Sequence, residues 1–424
     1  MATSVVLPVY SPSSLPPSYS AIPNNGESSL AHNRRRYHRG TFTKKCGDVS
    51  VTLTEQEDDA TVPVYTQRSA VSGTVHLDGC HHISEVLLKF QGRLKYSLSG
   101  PNAASRFIKT VNEKYVLWRL QSPLYGSVPE SIPFSVAFPS TFRDGRLEAP
   151  LPPSYESSDA LSGVSVQSEY SLKVIVKTTK ILWVHNKTVT VPLNYLLRRR
   201  PAQPIISTNF AFFSSVKLCP EEWSQTSAAL RANKWSNLTC LQTHFFLPAI
   251  HVFALRDTIP FHIQIAGKLP SLRSLLSHLY VGETPEQGGS WRSTDSSAMM
   301  LSVTVHRQVA IKLYDEVAWQ NLVIGKGKIR ASPPPFDSAG VDLGVDHDKD
   351  VEGSLDWEGE IEVNEDVQVG QFDAGNVSIR DFIILSIAGQ RESLTDFIPI
   401  HSAIPITLVT DRWSESEPAS LGQF

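Results

Sequence analysis

Methionine is close to absent from this chain, three residues in 424, and cysteine is nearly as scarce at four. Cys46, Cys80, Cys219 and Cys240 lie far apart and form no C-x-x-C pair. That spacing excludes a zinc ribbon and a dense disulfide framework, and fits reduced, structural thiols in a cytosolic protein. No run of 18 apolar residues occurs, so no segment has the length of a spanning helix. The start, "MATSVVLPVYSPSS", lacks a basic n-region and a long apolar h-region, which speaks against a secretory signal. An excess of one charge is also missing: 39 Lys and Arg stand against 42 Asp and Glu, a net charge of −3. Nothing global therefore points to nucleic acid or to a membrane surface.

Enzyme signatures are missing as well. H-E-x-x-H, G-x-S-x-G and G-x-x-x-x-G-K-[ST] do not occur, and no G-x-G-x-x-G follows a strand pattern. His81 and His82 are adjacent and would alternate faces on a strand, a poor arrangement for one metal. Glu358, Glu360 and Glu362 alternate in "WEGEIEVN", which reads as the wet face of a strand rather than paired catalytic carboxylates. Trp183, Trp319 and Trp357 read as core or sheet-edge residues rather than a sugar platform. The acidic run "SPPPFDSAGVDLGVDHDKDVEGS" lacks the D-x-D-x-D-G order and closing Glu of a calcium loop. The expectation is no catalytic residue, no metal and no cofactor: not an enzyme.

What is present is proline, 28 residues, and period-two alternation. Residues 1–45 are rich in Ser, Pro and Asn, poor in large apolar side chains, and read as a disordered tail. The tail carries a basic cluster, Arg34, Arg35, Arg36 and Arg39, read as a solvated charge run beside a domain, with a contact for acidic lipid or a localisation signal as the alternatives. From about residue 47 the pattern becomes that of strands: "VSVTLT", "SGTVHLDG", "HISEVLLKFQGRLKYSL", "KYVLWRL", "IPFSVAFP" and "EYSLKVIVKTTKILWV". Short alternating runs between Gly, Pro, Ser and Asp turns predict an antiparallel β-sandwich. "YLLRRRPAQPI", 195–205, reads as a linker, and strand patterns resume in "DTIPFHIQIAG", "MMLSVTVHRQVAIKLY" and "VSIRDFIILSIAG". Leu272, Leu275, Leu276 and Leu279 fall at helical spacing and predict a short amphipathic helix packed on its own sheet. The chain is thus all-β: a tail (1–45), a first sandwich (46–200), a second with loop insertions (201–412), and a terminal tail (413–424).

The pentapeptide Leu-Pro-Pro-Ser-Tyr occurs twice, in "SSLPPSYSAI" (13–22) and "PLPPSYESSD" (150–159). With 28 Pro and 12 Tyr in 424 residues, chance predicts roughly 0.05 Pro-Pro-x-Tyr tetrapeptides per chain. Consecutive prolines hold φ near −65°, so such a peptide is already close to polyproline II and loses little entropy on binding an aromatic WW groove. Pro16, Pro17 and Tyr19 lie in the tail and read as a displayed ligand. Pro152, Pro153 and Tyr155 lie between predicted strands. That copy is either a second ligand or a structural turn with Tyr155 packed down.

Several stretches together resemble the arrestin superfamily, and among its members the fungal α-arrestins. They are "YTQRSAVSGTVHLDGCHHISEVLLKFQGRLKYS", then "LYGSVPESIPFSVAFPSTF" with Pro133-Phe134 and Phe138-Pro139, then "LPPSYESSDALSGVSVQSEYSLKVIVK" with Tyr170. "DTIPFHIQIAG" and "FDAGNVSIRDFIILSIAG" continue the match in the second half. The resemblance covers most of 47–412. It implies two tandem arrestin-like, immunoglobulin-like β-sandwiches. It also implies a cytosolic adaptor that links plasma-membrane transporters or receptors to a HECT-type ubiquitin ligase with WW domains. Ubiquitin-dependent endocytosis would follow, with recruitment to plasma membrane and endosomes and only peripheral membrane contact. A structural trafficking subunit resembling a retromer component is the alternative it leaves. A buried polar set like that of the visual arrestins is not legible.

Overall fold

The computed structural model describes residues 40–414, apart from 59, 68, 80–81, 102, 121–127, 159–161, 181–182, 206–211, 282–297, 315, 333–350 and 390–394. Among the described residues, twelve strands precede residue 200: β1 (Gly40–Cys46), β2 (Val49–Gln56), β3 (Val64–Thr66), β4 (Ala70–Leu77), β5 (Ile83–Leu98), β6 (Ala104–Arg119), β7 (Ser131–Ala137), β8 (Thr141–Asp144), β9 (Leu147–Pro150), β10 (Tyr155–Ser158), β11 (Val164–Lys180) and β12 (Trp183–Leu196). Eleven follow, beginning with β13 (Trp223–Leu230), β14 (Leu241–Pro248), β15 (Val252–Ala254), β16 (Ile259–Lys268), β17 (Leu279–Val281) and β18 (Met299–Leu313). The last are β19 (Glu316–Ser332), β20 (Glu352–Val363), β21 (Phe372–Asp373), β22 (Val377–Gly389) and β23 (Ile400–Val409). Two α-helices, α1 (Phe212–Leu218) and α2 (Leu269–His278), and a short 3-10 turn, Pro220–Glu222, complete the described elements. Neither α-helix is long and apolar enough to cross a membrane.

The first half is built as its alternation predicts. One sheet runs β1-β2-β4-β7 and a second β3-β12-β11-β5-β6, with β10 beside β11. Val49, Val51, Leu53, Val71 and Val75 from the first face Leu88, Phe90, Leu94, Leu172 and Val174 from the second across one apolar core. The tail boundary moves: Gly40–Cys46 is a strand paired with β2, not tail. Its pattern of two lysines and mostly exposed side chains is that of a guarded edge strand, which offers little apolar signal to read.

The second half departs from two separate layers. Its strands form one hydrogen-bonded sheet, β13-β14-β16-β20-β19-β18-β22-β23-β15. The cause is β19, which pairs with β18 through Glu316–Lys326 and with β20 through Gly325–Ser332. A strand of 17 residues is long enough to join both layers and carry the ladder around a corner. Helix α2 lies on this sheet with Leu272 and Leu275 buried, as its spacing predicts, while Leu276 remains exposed.

No described strand of the first half pairs with one of the second. The apolar core is nonetheless shared, because Val309, Ile311, Leu313, Phe372, Val377 and Ile379 pack into the first half's cluster. The described residues up to 413 accordingly form one compact unit. The predicted linker is pinned: Arg198 pairs with Asp411 at 2.9 Å and the Arg199 N–H donates to Thr410 Oγ1 at 2.9 Å.

Candidate functional site

The second Pro-Pro-Ser-Tyr copy is masonry. Leu151, Pro152 and Pro153 are buried, and Tyr155 is half-buried. The Leu151 N–H donates to Ser140 O (3.0 Å) and the Ser154 N–H to Tyr195 O (2.8 Å). Ser154 Oγ accepts from the Tyr195 N–H at 2.9 Å. The Tyr170 hydroxyl donates to Pro152 O at 2.5 Å. These bonds fasten the segment to Ser140 between β7 and β8, to Tyr170 within β11 and to Tyr195 near the end of β12, and Tyr155 then opens β10 opposite Ser168. A WW groove grips exposed proline rings and an exposed tyrosine. Pro152, Pro153 and Tyr155, read from sequence as a possible second ligand, present no such face in the fold. Pro16, Pro17 and Tyr19 lie outside the described residues, as does the basic cluster Arg34, Arg35, Arg36 and Arg39.

The anchor for this segment is aromatic. Phe138 stacks on Tyr195 (centroids 4.5 Å) and meets Phe90 (4.8 Å), Tyr170 (5.4 Å) and Tyr65 (5.9 Å) at larger angles. Gly92 makes room for it: a Cβ there would sit 2.6 Å from the Tyr170 ring and 2.6 Å from Thr110 Oγ1. Gly92→Ala is therefore expected to cost about 1–3 kcal/mol and to displace Tyr170 from the Pro152 carbonyl. Urea denaturation together with hydrogen exchange at Ser154 checks both effects; an unperturbed Ser154 amide would break the link to the cluster.

Tyr155 also marks a polar seam between the halves that sequence reading missed. Its ring meets Phe372 edge-on at 5.6 Å. Its phenol, pushed up by burial, interacts with Arg307 and Ser157. Arg307 forms a two-pronged ion pair with Asp381, Nε–Oδ1 2.8 Å and Nη2–Oδ2 3.0 Å, with both side chains at 4% exposure or less. Burial pushes the Asp381 carboxyl up against the pull of Arg307. Beside the pair, Gln320 donates to Ser157 Oγ (2.6 Å) and accepts from the Ser162 hydroxyl (3.1 Å). Strict period two carried the signal. Arg307 falls on the inward register of Val305 and Val309, and Asp381 on that of Ile379 and Ile383.

A second buried pair sits under α1. His262 Nε2 lies 2.9 Å from Asp356 Oδ1, and Ser354 and Gln264 donate to the same carboxylate. The pull of these donors outweighs burial and lowers the Asp356 carboxyl. Phe212 stacks flat on the imidazole at 3.8 Å. His262 Nδ1 has no hydrogen-bond partner among the described residues.

The remaining sequence candidates stay apart. Glu358 and Glu362 are exposed and Glu360 half-exposed, along one face of β20. Trp357 is buried, whereas Trp319 is 58% exposed. His82 is exposed, and His81 and most of the acidic run lie outside the described residues. Cys46, Cys219 and Cys240 are free thiols with exposed side chains, and Cys80 lies outside the described residues. Among the described residues no cluster of His, Cys, Asp and Glu has the makings of a metal site. No protein-family model matches the chain, and no curated protein matches it.

Proposed function

We propose that the chain is an arrestin-like cytosolic adaptor. In this reading the β-rich body engages cytosolic segments of plasma-membrane transporters or receptors. The tail copy of Pro-Pro-x-Tyr, at Pro16, Pro17 and Tyr19, recruits a HECT-type ubiquitin ligase through its WW domains. Tethering raises the ligase's effective concentration near cargo lysines, which is the whole of the mechanism; the adaptor needs no chemistry of its own. Ubiquitin-dependent endocytosis is the expected outcome.

The observation that supports the reading is the unequal fate of the two copies. One is consumed by the fold at Leu151–Tyr155, bonded to Tyr170 and Tyr195. The other sits in a Ser- and Pro-rich stretch where a fold would have little use for it. The experiment is binding of the full chain to a panel of WW domains. Tyr19→Ala is expected to lower affinity by tenfold or more, as loss of a pocket-filling aromatic costs about 2 kcal/mol or more. Tyr155→Ala is expected to leave affinity unchanged while lowering the melting temperature. Wild-type chain that binds no WW domain would sink the ligase mechanism and favour the structural trafficking subunit.

A further inference from the structure

The outer face of the first half's larger sheet carries a basic array that neither the fold nor the adaptor reading uses. Lys114, Lys89 and Lys173 stand directly opposite one another on β6, β5 and β11. Further along, Lys109 faces Arg93, and Lys95 lies beyond it. All project away from the core, because Leu88, Phe90, Leu94 and Tyr96 occupy the inward positions of β5. Lys114, Lys109, Lys95 and Arg93 are exposed, and Lys89 and Lys173 half-exposed.

Among the described residues, carboxylates do little to neutralise the array. Glu85 is already shared by Lys177 (2.8 Å) and Arg119, which hold its carboxyl down to about 2. Glu169 reaches Arg93 only at 3.5 Å, and Glu156 lies out on β10. Like charges directly opposite on a sheet are destabilising. Lysines do guard open edges, which accounts for Lys109 and Lys114 on the edge strand β6. It does not account for Lys89 and Lys173, which lie on interior strands.

We propose that this face docks on a membrane surface containing anionic phospholipid. The charges spread over three strands, a width of about 10 Å, and the face holds an open depression of about 350 Å³ beside Arg93, Lys95 and Phe107. A planar array of cations suits a planar array of headgroups better than it suits one extended peptide. Phe107, 54% exposed, and Val116, 49% exposed, stand among the lysines where apolar side chains can enter the interface. Because the chain as a whole is −3, the attraction is local and orients the molecule. The site does not depend on the ligase reading, so WW binding and lipid binding fail separately.

The test is sedimentation of the full chain with vesicles of phosphatidylcholine, with and without phosphatidylserine. Wild type is expected to bind only the anionic vesicles, and less at high salt. The triple variant K89Q/K114Q/K173Q should lose roughly fivefold in partitioning per lysine, on the order of 100-fold in all. Its melting temperature should hold or rise, since the substitutions relieve repulsion; a fall would give the lysines a structural role and overturn the proposal. A variant with Arg34, Arg35, Arg36 and Arg39 changed to Gln controls for the tail. Abolition of binding by that variant, with the triple variant unaffected, would also overturn it. So would binding of a poly-glutamate peptide that needs the three lysines when vesicle binding does not.

Discussion

Replacing Arg307 with Leu is expected to cost about 3–5 kcal/mol at neutral pH, the largest effect of any single substitution in the seam. The substitution leaves the Asp381 carboxylate, whose side chain is 0% exposed, without its two guanidinium bonds. Tyr155 loses a polar neighbour at the same time. Against a typical total stability of about 5–15 kcal/mol, this is enough to unfold a large fraction of the chain on mild warming. The companion variant decides the cause. Arg307→Met with Asp381→Leu removes both charges and should recover most of the loss, because a buried ion pair is worth little more than well-packed apolar groups of similar size. The Arg307→Leu variant should also gain stability as pH falls. Its unpaired Asp381 would have a folded pKa far above the unfolded value of about 3.9, so stability is present at low pH and lost as pH rises through the folded pKa. Urea midpoints for the three proteins across pH check all of this. A loss below about 1 kcal/mol for Arg307→Leu would mean that water reaches the pair.

The all-β class and most strand positions are legible because period two survives in runs such as Val49–Leu53 and Val164–Lys180, where one face meets an apolar core. Whether the second Pro-Pro-Ser-Tyr copy was turn or ligand was not decidable locally. The deciding partners, Ser140, Tyr170 and Tyr195, are remote in sequence, and the segment's own residues suit either role. The seam was harder for a related reason. A charge in an alternating strand usually marks the wet face, and only its register exposes Arg307 and Asp381 as inward. The His262–Asp356 pair had no such signal. His262 sits on the outward register of β16, and its cover comes from α1, which no periodicity links to that strand. The basic face was hidden for the opposite reason: each lysine alone is ordinary, and only cross-strand register aligns Lys114, Lys89 and Lys173.

Above about pH 10 the chain is expected to lose stability steeply, and the aromatic cluster that seats Pro152 is the reason. Tyr65, Tyr170 and Tyr195 surround Phe138 and are each 3% exposed or less. Burial raises all three phenols above their ordinary value, Tyr195 to about 12, with Tyr65 and Tyr170 raised as well. The Tyr65 hydroxyl has no hydrogen-bond partner among the described residues, so nothing there would stabilise a phenolate. An unfolded chain gives up these protons near pH 10, while the folded chain keeps them. The unfolded state then binds fewer protons, and stability falls as pH rises. It is fully present below the unfolded pKa and lost progressively towards the folded ones. Each group contributes up to about 1.4 kcal/mol per pH unit, so three together approach about 4 kcal/mol per unit. Urea midpoints at steps of pH, with tyrosinate absorbance as a second probe, should show unfolding and ionisation in one transition. Tyr170→Phe removes one of these buried titrating groups and should flatten the alkaline slope by up to about 1.4 kcal/mol per pH unit. At neutral pH it should cost about 1 kcal/mol for the lost bond to Pro152 O. An unchanged slope in that variant would mean that Tyr170 ionises no differently in the folded chain, and that the Pro152 segment is not held by the cluster. A flattened slope with an intact tail interaction would tie the seat of the second Pro-Pro-Ser-Tyr copy to the core and leave display to Tyr19 alone.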